Sequence, residues 1–170
     1  MSDFRIETER LVLRELGPGD EEFICELVNE PDWIRYIGDR GVKNEADAAN
    51  YIKAGPAKMY EEFGHGLWAM EAKETDEAVG ICGVLKRPDM DLPDLGFAVL
   101  SKFRRRGYSL EASKASLVYC ADRFGYKSFA AITTLDNAAS GALLEKLDFE
   151  FRENIEVGKE TLRLFVLEAV

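Results

Sequence analysis

Apolar positions recur with two periods along the chain, and the switches between them mark out its elements. Residues 10–16 alternate: Leu11 and Leu13 point one way, Arg10, Val12 and Arg14 the other, as in an edge strand. After the turn Gly17-Pro18-Gly19-Asp20, residues Phe23, Ile24 and Leu27 return at helical spacing, with Asp20 placed to cap that helix. Pro31 suits the first position of a second short helix ending near Ile37, and Asn44 with Glu45 and Asp47 opens a third. Gly55-Pro56 stops or kinks this helix, which resumes to about Phe63. Short apolar runs at 67–72, 79–85 and 95–100, with turn residues between them, predict an antiparallel meander. Two prolines make 87–93 a loop. A longer helix from Leu110 carries Leu110, Leu117, Ala121 and Phe124 near one face, with Val118 beside them and Lys114 on the same stripe. A strand over 128–135, a helix over about 139–147, and strands over 151–157 and 161–167 complete the chain. Strands, helix, strand, helix, strands is the order of an α+β fold.

Composition narrows this little. The 170 residues carry no repeat, linker or low-complexity tract, so a single domain spanning 1–170 is expected. Hydrophobic residues are 46% and charged residues 32%, as in soluble globular proteins. No apolar run approaches the roughly 20 residues of a membrane span, and the charged start Met-Ser-Asp-Phe-Arg-Ile-Glu is no secretory signal. Cys25, Cys82 and Cys120 are odd in number and widely spaced, which reads as reduced core thiols in a cytoplasmic protein. No metal ligand set is assigned. The net charge of −10 argues against general nucleic-acid binding. It suits steering of a cationic amine or basic protein, or it serves solubility alone.

The chemistry concentrates at Arg104-Arg105-Arg106-Gly107-Tyr108-Ser109, between a buried strand and a helix start. The first N–H groups of a helix lack internal partners and its dipole is positive there, so such a turn is an anion site. Gly107 lets the main chain turn sharply and approach a phosphate, and the arginines add fixed positive charge.

These residues resemble a known family. Arg104-x-x-Gly107-x-Ser109 is similar to the pyrophosphate loop of the GNAT-superfamily N-acetyltransferases, and Leu95-Gly96-Phe97-Ala98-Val99 to their central strand. Glu7-Thr8-Glu9-Arg10-Leu11-Val12-Leu13-Arg14, Gly64-x-Gly66-Leu67-Trp68 and Asp136-Asn137-Ala138-Ala139-Ser140, followed by Leu143 to Phe149, resemble the RimJ/RimL ribosomal-protein branch. The likeness runs through nearly the whole chain in the family's order.

The resemblance implies a mixed, mostly antiparallel sheet of six or seven strands flanked by helices and splayed at its centre to admit CoA. It implies acetyl-CoA as donor and direct attack by a primary amine, from a protein N-terminus or a small molecule, in a monomer or homodimer that binds neither nucleic acid nor membrane. Arg104, Arg105, Arg106, Gly107, Tyr108 and Ser109 would hold pyrophosphate. Phe97, Ala98 and Val99 would pair with pantetheine like an added strand, with an N–H near Val99 directed at the thioester oxygen. Asn137 matches an Asn that touches the cofactor, and also suits a helix N-cap. Asp94 sits where many relatives carry an acid, and Asp91, Glu71 or a water chain are alternative bases. Many relatives place a tyrosine acid seven residues after the Asn, where this chain has Leu144. Ser140 is the substitute, also near the cofactor, with Tyr108 a further candidate. Trp33, Tyr36 and Tyr60 are expected on the acceptor wall, or in the core. His65 is read as a loop residue. A CoA-binding sensor or interaction module without transfer activity is the alternative from another class. A nucleotide-phosphate protein is disfavoured, because both Gly-x-x-x-x-Gly-Lys-Ser/Thr and Gly-x-Gly-x-x-Gly are absent.

Overall fold

The computed structural model describes residues 2–168. In chain order the elements are β1 (Arg5–Glu7), β2 (Leu11–Arg14), α1 (Glu21–Val28), α2 (Pro31–Tyr36), α3 (Glu45–Ile52), a π-helical turn (Lys53–Ala57) and α4 (Lys58–Phe63). Then come β3 (Leu67–Ala72), β4 (Glu77–Leu85), β5 (Asp94–Val99), a 3-10 turn (Ser101–Phe103) and α5 (Tyr108–Phe124). The chain closes with β6 (Ser128–Thr134), α6 (Ala138–Lys146), β7 (Glu150–Val157) and β8 (Glu160–Glu168). One eight-stranded sheet is ordered β1-β2-β3-β4-β5-β6-β8-β7. Every neighbouring pair is antiparallel except β5 with β6.

Side-chain alternation along the strands feeds two cores, one on each face of the sheet. Trp68 and Met70 of β3 and Cys82 of β4 join Leu11, Leu13, Leu117, Phe129 and Phe165 under α5. The intervening Ala69 and Ile81 meet Ile24, Leu27, Trp33 and Ile52 of α1–α3.

Three expectations change. β2 is an interior strand, because β1 pairs along it from Arg5–Arg14 to Glu7–Val12. That added strand brings the sheet to eight. Asp20 precedes α1 without capping it. Its carboxylate instead accepts from both terminal nitrogens of Arg14, each at 2.9 Å, and from the Gly17 N–H. α5 begins at Tyr108 and buries Ala112, Ser113, Ser116, Leu117 and Cys120, while Val118 is 56% exposed. Leu110, Leu117, Ala121 and Phe124 pack on the core as expected, and small residues beside them, rather than Val118, seat the helix close to β4; the Ser113 and Ser116 hydroxyls lie 3.5 and 3.7 Å from Cys82 Sγ. His65 lies in the loop between α4 and β3, as expected, and is fully buried there. Its Nδ1–H donates to the Val84 carbonyl at 2.7 Å, Nε2 pairs with the Tyr126 hydroxyl at 2.8 Å, and burial lowers its pKa.

Other local expectations hold. Asn44 accepts from the Asp47 N–H as an N-cap. Pro56 turns the helix through the π-helical segment, and α4 follows directly. Asp148 takes the left-handed conformation, φ 67°, where the chain leaves α6.

Candidate functional site

The site begins with a mismatch in hydrogen bonding. β5 and β6 pair at one position, Asp94 with Ala130, where the Ala130 N–H donates to the Pro93 carbonyl at 2.8 Å. Beyond it the two strands form opposite walls of a cleft of about 1080 Å³. On its other side β5 is laddered to β4, and the ladder continues with the Leu100 N–H donating to the Val79 carbonyl at 2.9 Å. Alternate residues of an antiparallel strand bond to a given neighbour. The main-chain groups of Ala98 and Gly96 therefore face β4, and those of Phe97 and Val99 face the gap. Both main-chain groups of Phe97 and the N–H of Val99 present a free strand edge, while the Val99 carbonyl accepts from Arg104 Nε at 3.3 Å; Ala98 contributes only by position.

The turn expected to bind an anion closes one end of this gap. Gly107 has φ 78° and Arg105 φ 61°, so two left-handed residues curl the backbone before α5. Among the described residues, the N–H groups of Arg105, Arg106 and Gly107 find no protein acceptor, and the helical ladder starts with Glu111 N–H donating to the Gly107 carbonyl at 3.1 Å. Arg105 and Arg106 are exposed and make no ion pair among the described residues. Arg104 differs: its guanidinium is bonded to Asp32, to Glu30 at 3.3 Å and to the Val99 carbonyl, so it latches the turn to the helical wall. Tyr108 and Ser109 also line the cleft.

A second brace explains the opening Thr8–Arg10 stretch. The Glu111 carboxylate accepts from the Thr8 hydroxyl at 2.6 Å, the Arg10 N–H at 2.8 Å and Arg10 Nε at 2.7 Å. Arg10 then donates from Nη1 to the Arg106 carbonyl at 2.7 Å. Burial pushes the Glu111 pKa up, but these donors outweigh it and hold the group ionised below its usual range.

At the other end of β5, Asp94 is 1% exposed and borders the cleft. Oδ2 accepts from Arg87 Nε at 2.5 Å, and Oδ1 is buried without a partner. Burial raises this carboxyl to about 6, Arg87 pulls it part of the way back, and the charge of Asp89 adds to the rise. Of the alternative bases, Glu71 is bonded to Arg14 away from the cleft, and Asp91 lines a separate smaller cavity. Asn137 caps α6 by accepting from the Ser140 N–H at 3.2 Å, and both residues border the cleft. The Ser140 hydroxyl has no hydrogen bond among the described residues. Leu144 is fully buried in the same wall.

Trp33 and Tyr36 line the cleft, and the Trp33 indole N–H is buried without an acceptor. Tyr60 is not in the lining. Its hydroxyl accepts from the Leu16 N–H at 3.1 Å and donates to the Leu67 carbonyl, which makes it a core strut.

Sequence reasoning missed Arg87, the partner of Asp94, and Glu30 and Asp32, the anchors of Arg104. Arg87 had a readable signal: Leu85 pairs with Asp94 in the β4–β5 hairpin, so the residues just after it return to that carboxylate.

Residues 10–150 match the family described as an acetyltransferase (GNAT) domain. The chain is 26% identical over 146 residues to a Bacillus subtilis protein named "Uncharacterized N-acetyltransferase YoaA", covering 85% of this chain and 82% of that one. Its fold matches an acetyltransferase from Agrobacterium tumefaciens with a TM-score of 0.82 at 22% identity, over 99% and 96% of the two chains. It matches a RimL ribosomal L7/L12 α-N-protein acetyltransferase, solved with coenzyme A, with a TM-score of 0.72 at 12% identity over 98% of each chain. The α+β architecture expected from the element order is borne out, as is the central splay that the resemblance implies.

Proposed function

The chain belongs to the GNAT acetyltransferase family, and from that premise we propose that its cleft transfers an acetyl group from acetyl-CoA to a primary amine by direct attack. The observation that carries this is the gap between β5 and β6, which leaves a bare strand edge running toward an unpartnered, cationic helix N-terminus. Acetyl-CoA, when bound, supplies the activated acyl group and the thiolate leaving group.

The residues fit that ligand. The N–H groups of Arg105, Arg106, Gly107 and the first turn of α5, with the Arg105 and Arg106 side chains, suit a diphosphate. The free main-chain groups of Phe97 suit an amide-bearing arm, and the free Val99 N–H suits a developing oxyanion. Asn137 keeps its amide NH₂ for the ligand while its carbonyl caps α6. Asp94 serves as the base: Arg87 holds Oδ2, while Oδ1 stays free to take a proton from an ammonium. Its pKa of about 6 leaves it ionised at neutral pH. The free Ser140 hydroxyl serves as proton donor to the departing thiolate. Trp33 and Tyr36 line the acceptor side. The acceptor is a protein N-terminus or a small amine, and the protein acts as a monomer or homodimer. Its three free thiols suit a cytoplasmic location.

Thiol release from acetyl-CoA with an amine panel tests the reaction. Gly107→Asp tests the loop, since its Cβ would stand 3.3 Å from Arg10 Nη2 and its charge would oppose phosphate. CoA affinity equal to wild type in a folded Gly107→Asp protein would refute the assignment. The apolar Leu144 favours a second reading, a CoA-binding module that transfers nothing; CoA binding without thiol release across the panel would select it.

A further inference from the structure

The cleft lining is sorted by charge in a way that acetyl transfer alone does not require. Three carboxylates border it, Glu30, Asp32 and Asp94, and each is engaged by an arginine, the first two by Arg104 and the third by Arg87. Apart from the phosphate turn and the Arg87 that pairs with Asp94, three cations border the cleft, Lys86, Arg40 and, at the end of α6, Lys146. Lys86 follows β4 directly after Leu85, the ladder partner of Asp94. A six-residue strand spans roughly 17 to 20 Å, so Lys86 and the Gly107 turn lie near opposite ends of β5. Arg40 lies in the exposed loop between α2 and α3, near enough to Tyr51 for its charge to act on that hydroxyl. Neither Lys86 nor Arg40 has an ion-pair partner among the described residues. The loop acids Asp89 and Asp91 line the other cavity, of about 260 Å³, against Ile155 and Leu164, although the charge of Asp89 still reaches Asp94.

A chain of net charge −10 therefore leaves unpaired positive charge in the acceptor half of its cleft. The long-range field of such a chain draws cations toward the protein, but the field inside a cleft is set by its own lining and is focused by low-dielectric walls. We propose that the acceptor carries a carboxylate as well as its amine, received by Lys86 and Arg40 while the amine is presented to Asp94. The inference rests on the transfer reaction proposed above. Both cations would bind through charge-assisted hydrogen bonds.

Matched acceptors test it: β-alanine against its amide, and the peptide Ser-Ala-Glu-Glu against Ser-Ala-Gln-Gln. The first pair reports a free amino acid as source, the second a peptide N-terminus. In wild type, kcat/KM for the carboxylate member should exceed that of its neutral counterpart about tenfold in at least one pair. In Lys86→Glu and Arg40→Glu that ratio should fall to about one or invert, with CoA affinity by calorimetry reporting an intact fold; Lys86→Gln and Arg40→Gln stand in if reversal unfolds the protein. A wild-type ratio at or below one in both pairs, or a ratio that survives both substitutions, overturns the proposal. If neither pair is acetylated, calorimetric binding of the same acceptors, with and without CoA, reads the ratio instead, and the same results support or overturn the proposal. A wild-type protein that fails to bind CoA sinks the transfer reading; one that binds CoA and releases thiol without charge preference sinks only this inference.

Discussion

Replacing Asp94 with Asn should stabilise the protein at alkaline pH and remove most of its turnover. The carboxyl is 1% exposed, and its pKa rises from 3.8 to about 6, chiefly through burial. The folded state therefore holds that proton more tightly than the unfolded chain does. Stability from this group is fully present below about pH 4, declines as pH rises through 6, and is absent above. The difference of about two units corresponds to about 3 kcal/mol. Asn is uncharged at every pH and avoids this loss. It leaves Arg87 without its carboxylate, but that side chain is 37% exposed and can be resolvated at small cost. The amide also remains partly unpaired, which takes back about 1 to 2 kcal/mol. Urea unfolding at pH 8 should then show Asp94→Asn more stable than wild type by about 1 to 2 kcal/mol, with the advantage gone by pH 4. Turnover should fall about a hundredfold or more, and the acid limb near pH 6 should disappear. A variant less stable than wild type at pH 8, or one that keeps the acid limb, would refute the reasoning.

Three further predictions follow from neighbouring groups. Arg87→Ala removes the cation that lowers the Asp94 pKa, so the acid limb of kcat/KM should move to higher pH; an unmoved limb removes Arg87 from the site. Ser140→Ala should lower kcat about tenfold while CoA affinity, measured by calorimetry, stays constant; unchanged kcat excludes its hydroxyl from the reaction. Glu111→Gln weakens the brace that runs through Arg10 to the Arg106 carbonyl. CoA should dissociate about tenfold more readily, although Glu111 is in the brace rather than the cleft lining; equal affinity means the turn holds its shape unaided.

The parts of the fold that local chemistry specifies were legible in the chain. Gly107 before a helix, Asn137 three residues before an N–H it accepts from, and Pro56 amid helical spacing each announce one backbone geometry. What eluded reading depends on partners distant in sequence. β1 is only three residues long, too short for alternation to register, and exists because β2 offers it an edge. The inward face of α5 is legible in Leu110, Leu117, Ala121 and Phe124, but Ser113 and Ser116 look polar in isolation, whereas Cys82 gives their hydroxyls a buried neighbour. Arg104 was grouped with its neighbours as a phosphate ligand; Asp32 and Glu30, some seventy positions earlier, give it an anchoring role. Composition also misleads, since a whole-chain charge of −10 hides the cations within the cleft.

The lone rung between Asp94 and Ala130 has a mechanical consequence. The sheet behaves as two stiff leaves, each fully laddered within itself and riveted to the other at a single backbone position. Widening or narrowing the aperture between them breaks no ladder bond, so stiffness against that motion resides in the filling of Phe129, Leu144 and Phe165 beneath the seam. Trimming that filling should loosen the jaws while leaving both leaves intact.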